Sequence, residues 1–159
     1  MKENYREERS VIVETVSRVM IPFIQLFALY VIIHGASGPG GGFQGGVIFA
    51  ASIILYALTY SLSRGKRRFP PGSQITLATL GLSIYAGIGL LCLFFGRGRA
   101  HYLNYGFLPF TSGFESNRAL AMEIVEIGIG LAVMAMIISI FFDLAGPGDH
   151  TRGEQEREP

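Results

Sequence analysis

The chain has 159 residues, of which 50% are apolar and only 16% charged, against about 25% charged in soluble domains. Thirteen Lys and Arg face twelve Asp and Glu, a balance that argues against a nucleic-acid-binding surface. A lone cysteine, Cys92, with three scattered histidines excludes an internal disulfide and a zinc motif, and 21 glycines without a three-residue period exclude collagen.

Residues 1–10, MKENYREERS, mix acids and bases and form a polar amino-terminal segment. Residues 11–33 follow, apolar apart from Glu14, Arg18 and Gln25. A helix needs about 20 apolar residues to cross a bilayer, so this is the first predicted span. It is too long for a signal-peptide core and has no small-x-small cleavage site before His34, so a retained helix is expected. Glu14, Arg18 and Gln25 lie within about 40° on a helical wheel and form one polar stripe. Glu14 and Arg18 are spaced i,i+4 with the acid first, the favourable order. Pro22 removes a helical hydrogen bond and frees the Arg18 carbonyl, so a kink is expected there. The stripe reads either as a snorkelling pair at the interface or as the lining of a hydrated ion path.

The next segment, His34 to Gly46, is the densest signal: HGASGPGGGFQGG. Gly40, Gly42 and Gly45 satisfy G-x-G-x-x-G formally, but a strand must precede a dinucleotide loop and an acid must follow about 20 residues on. Neither is present. Glycine instead allows a sharp turn at the membrane surface. Gly42, Gly46 and Ala50 then repeat every four residues, the spacing that brings helices close. His34 reads as a proton shuttle or as a hydrogen-bonded structural residue. The second span, 43–63, carries no charge, and RGKRRFPPG after it reads as a solvated basic turn touching lipid headgroups.

The third span, 73–96, is also free of charge. A long loop, Arg97–Arg118, contains Tyr102, Tyr105, Phe107, Phe110 and Phe114 and is expected to rest on the interface or on another protein. The fourth span, 119–142, carries Glu123 and Glu126, i,i+3 neighbours on one helical face. Two carboxylates in lipid must be protonated, paired, or turned to water or another subunit. Two readings remain open for them: transient binding of H⁺ or Na⁺, or a structural pairing near the outer interface with Arg118 or a partner. Residues 145–159 read as a flexible tail.

The expected fold is all-α: an integral membrane protein with four transmembrane helices, two polar ends and a membrane domain over 11–144. The two tails and the second loop share one side and hold nine Lys and Arg; the other side holds three. Both termini are therefore expected in the cytoplasm.

The run LYVIIHGASGPGGGFQGGVIFAASIILYAL, with its Pro39–Gly46 core, resembles the signature of the B subunit (the MnhB/MrpB domain) of Mrp-type multisubunit Na⁺/H⁺ antiporters. Archaeal membrane-bound hydrogenase and related sulfur-reducing complexes carry the same module. MEIVEIG at Met122–Gly128 fits the family's last helix, and the resemblance covers about Val11 to Leu144. One departure is local. The family pattern has a Gly-His step before Pro-Gly-Gly-Gly, whereas here Ala36 follows Gly35 and the histidine is His34.

The resemblance implies a subunit of a cell-membrane complex that exchanges Na⁺ for H⁺, with other antiporter-module subunits as partners and, in one branch, a hydrogenase-like peripheral arm. It does not make this chain the pump. Four spans without an evident repeat, and no series of lysines and acids, suit a non-catalytic subunit that supports assembly and lines the ion path. Glu123 and Glu126 are the first ion-path candidates, then Glu14 and Arg18, then His34. Pro39, Gly40, Gly41, Gly42, Phe43, Gly45, Gly46 and Ala50 are assigned to helix packing and the loop. No catalytic or metal site and no resident cofactor is expected; Na⁺ and H⁺ are the candidate transported ions. The alternative is a small cation channel or carrier working alone as a homo-oligomer.

Overall fold

The computed structural model describes residues 2–35, 38–95, 102–110 and 113–146, with side chains from residue 11 onward except that of residue 107. Among the described residues five α-helices follow in order, α1 (Lys2–Ile33), α2 (Gly42–Tyr60), α3 (Leu62–Arg68), α4 (Pro71–Phe95) and α5 (Phe114–Ala145), with a 3-10 turn at Tyr105–Phe107 before the last. No strand occurs among the described residues. Four helices are long and apolar enough to cross a membrane: Val11–Ile33, Gly42–Tyr60, Pro71–Phe95 and Phe114–Ala145.

The first helix begins nine residues before its apolar run. Lys, Glu and Arg are good helix formers, and extending an existing helix is far easier than nucleating one. It runs through Pro22 as one assigned helix.

The basic segment after the second span is helical, where a turn was expected. Ser61 takes φ 153° and accepts the Arg64 amide on its hydroxyl at 3.3 Å, which starts α3. Gly65 is buried against Ala57 and the Phe142 ring. Arg64, Lys66, Arg67 and Arg68 stay exposed. One small residue tucks the turn under the bundle while the cations face outward. The Phe69 carbonyl then accepts the buried Gln74 side-chain amide at 2.9 Å, just after α4 begins at Pro71.

The spanning helices pack in the order α1, α2, α5, α4. Small residues set the contacts. Gly45 of α2 meets α1 at Ala28 and Ile32, while Gly42 and Gly46 meet α5 at Glu126 and Gly130. Gly81 of α4 meets the Gly128 carbonyl of α5. At each, a Cβ would overlap the neighbouring chain, so glycine is what lets the helices close up. Below Gly46, Ala50, Ile53 and Ala57 pack on Met134, Ile138 and Phe142. Ile88, Cys92, Ala121 and Val125 form a second cluster between α4 and α5.

The described part of the aromatic loop touches this chain, while Tyr102 and Phe110 stay exposed. Leu108 is buried in the α4–α5 cluster, and Tyr102 lies against Gly89. Burial, with Cys92, Tyr85 and Tyr102 nearby, holds the Tyr105 phenol above its ordinary value. Residues 96–101, 111–112 and 147–159, which include Arg97, Arg99 and most of the expected tail, lie outside the described residues.

Candidate functional site: Glu126 beneath the glycine turn

The chain leaves α1 at Ile33 and re-enters α2 at Gly42. Gly41 makes this possible with φ 156°, a backbone region that residues with a side chain rarely adopt, Ser61 being the other instance among the described residues. Its amide donates to the Val31 carbonyl at 3.2 Å, tying the turn back to α1. The turn lands on α5 at Glu126. Gly35 lies against the Glu126 carboxyl group, and Gly42 against its backbone carbonyl.

The level of this contact matters. Twelve residues separate Phe114, the start of α5, from Glu126, a rise of about 18 Å. From Gly81, which meets Gly128, α4 continues 14 residues to Phe95, about 21 Å more. The α1–α2 turn is therefore the floor of a step, and the α4–α5 hairpin is its wall. Glu126 sits at the foot, about 5 Å from the midpoint of α5.

The two acids differ. Glu123 is exposed. Glu126 is half-buried, and its Oε2 is buried with no hydrogen-bond partner. Among the described residues neither pairs with a cation, Arg118 included. A buried carboxylate oxygen without a partner is costly and rare.

The other candidates lie elsewhere. His34 is exposed and stacks on Tyr30 with ring centroids 4.1 Å apart; its Nδ1 lies 3.2 Å from the Tyr30 carbonyl, the bond of a ring held in place. Glu14 and Arg18 form an open ion pair at 3.5 Å near the middle of α1, remote from the glycine turn, where Arg18 Nε also donates to the Tyr60 hydroxyl at 3.4 Å. Gly40, Gly42, Gly45 and Gly46 face inward, and Ala50 is fully buried. Pro39 and Phe43 line an outward cleft with Gln44 and Val31. Gly35, which touches the Glu126 carboxyl, was not singled out for that contact, because the pairing spans 91 positions. Among the described residues no three His, Cys, Asp or Glu converge as a metal site.

Four spanning helices make this a multi-pass membrane protein, and a half-buried acid lies under its glycine turn. Residues 12–139 match the family described as the domain related to the MnhB subunit of Na⁺/H⁺ antiporter, and the chain belongs to that family. Proteins of Staphylococcus aureus strains Newman, JH1 and USA300, provisionally named antiporter subunit mnhB2, are 26% identical over 149 residues. The match covers 88% of this chain and 97% of each relative.

Proposed function

We propose that the chain is a non-catalytic membrane subunit of an Mrp-type Na⁺/H⁺ antiporter, alone or within a hydrogenase-type respiratory complex, and that it helps line the ion path at Glu126. The observation that carries this reading is the unpartnered Oε2 of Glu126 at the foot of the step. Irregular backbone at membrane depth is tolerated where protein covers it or water reaches it. The turn over Glu126 needs one or the other. A partner subunit filling the step would complete a hydrated route past the carboxyl group; Na⁺ and H⁺ are the ions that would use it. The excess of Lys and Arg on α3 and the amino-terminal segment orients both termini to the cytoplasm.

The test is Glu126→Gln in the assembled complex, which keeps shape and removes charge. Antiport measured in everted vesicles should fall at least tenfold while every subunit still co-purifies. Glu123→Gln, at an exposed position, should cost less than threefold. Full antiport with Glu126→Gln would confine the residue to packing.

A further inference from the structure

At the opposite end of the bundle lies a cleft that the antiport reading does not use. It has a volume of about 250 Å³ and opens between α1 and the α2–α3 junction. Its polar wall is Arg18, Gln25, Tyr56, Tyr60 and Arg68; its apolar floor includes Ile21 and Ile53. We propose that this cleft binds the phosphate headgroup of an anionic phospholipid, with the acyl chains lying along the apolar floor.

The hydrogen-bond inventory carries the argument. A guanidinium has five N–H donors. Arg18 uses two, and both bonds are long: Nε to the Tyr60 hydroxyl at 3.4 Å, and Nη2 to Glu14 Oε1 at 3.5 Å. Those contacts aim the group without saturating it. Its side chain is 72% exposed and borders the cleft, so the group stays accessible to a ligand. Arg68 borders the same cleft from the end of α3 and makes no ion pair among the described residues.

Charge and depth then fit one occupant. Two guanidiniums border the cleft, and Glu14, which partly offsets Arg18, is outside its lining. Arg64, Lys66 and Arg67 on the same short helix deepen the positive field. Planar guanidiniums bind phosphate oxygens in a fixed, forked geometry. Tyr56 and Tyr60, whose rings lie 4.8 Å apart and are tilted by 40°, mark an interfacial level, where aromatic rings with polar tips settle. Basic pockets between membrane helices at that level suit anionic headgroups. A free anion would leave the floor of Ile21 and Ile53 unfilled.

The experiment is a titration of the delipidated, fully assembled complex, read by native mass spectrometry. The probes are phosphatidylglycerol, phosphatidylcholine and inorganic phosphate. Phosphatidylglycerol should bind at least tenfold more tightly than phosphatidylcholine, and inorganic phosphate should fail to displace it at millimolar concentration. Arg18→Gln with Arg68→Gln should weaken it at least tenfold. Arg67→Gln removes one charge outside the cleft lining, half of what the double variant removes, and should cost less than twofold. Tyr60→Phe leaves every charge in place but frees Arg18 Nε; it should weaken binding two- to threefold, so the idea stays testable if the double variant misfolds. Equal binding of phosphatidylcholine, displacement by inorganic phosphate, or an equal loss with Arg67→Gln would each overturn the proposal. So would a double variant that keeps its lipid and sheds a partner subunit, which would make the cleft a protein contact.

Discussion

The two charged places inside the apolar helices solve the same problem in opposite ways. At one end, Glu14 and Arg18 satisfy each other locally, four residues apart on one helix, and both remain open. At the foot of the step, Glu126 has no cation among the described residues, and its surroundings come from a turn far away in sequence. An open, self-paired charge tolerates change because its neighbours and solvent can take over. A carboxyl group pressed between helices depends on every atom that makes the space. The first place suits an exposed surface, and the second depends on a geometry that other residues must preserve.

The contrast breaks most visibly at the glycines that create the close approach. Gly46→Leu puts a side chain where even a Cβ would stand 2.7 Å from the Gly130 carbonyl and 3.1 Å from Val133. Backbone on one side cannot yield, so α2 and α5 must part. Overpacking costs about 1–3 kcal/mol, and the branched side chain puts this substitution at the upper end. The amount of the chain in assembled complex, read on a native gel, should fall at least fivefold. Wild-type assembly would show that the α2–α5 contact is loose.

Gly35→Ala sharpens the same comparison more gently. The new methyl would overlap the Glu126 carboxyl group, the movable end of a flexible side chain. The helices need not move; the carboxyl group must. Assembly should stay within twofold of wild type while antiport falls about three- to tenfold. Loss of assembly in step with activity would mean that Gly35 matters to the fold alone.

The residues show which parts of this arrangement a sequence can carry. Four spans are legible because a run of 20 or more mostly apolar residues with at most two charges is a local property. The small-residue spacing of Gly42, Gly46 and Ala50 is legible for the same reason, as a periodicity within one helix. The partner of each glycine is not. Gly35 meets Glu126 and Gly81 meets Gly128 only after the helices have chosen neighbours. Glu123 and Glu126 look equivalent at i,i+3 because a helical wheel records direction and not coverage. The α1–α2 turn covers one of them and leaves the other exposed. Likewise α3 hides in a run of cations, because its cap at Ser61 and its contact from Gly65 to Phe142 involve three different helices or junctions.

The smallest effect belongs at the self-paired end. Glu14→Gln removes the acid from the ion pair but keeps a side chain of the same length, able to hydrogen-bond. Arg18 retains the Tyr60 hydroxyl, and its charge can still reach the interface along its own flexible stem. Exposed pairs of this kind contribute little because solvent and headgroups compete for both partners. Assembly and antiport should both stay within twofold of wild type. The one expected change is in the lipid cleft: with its intramolecular competitor gone, Arg18 should hold phosphatidylglycerol slightly more tightly, by up to about threefold in the same titration. A large loss of antiport from Glu14→Gln would place an ion contact at this end and erase the distinction between the two regions.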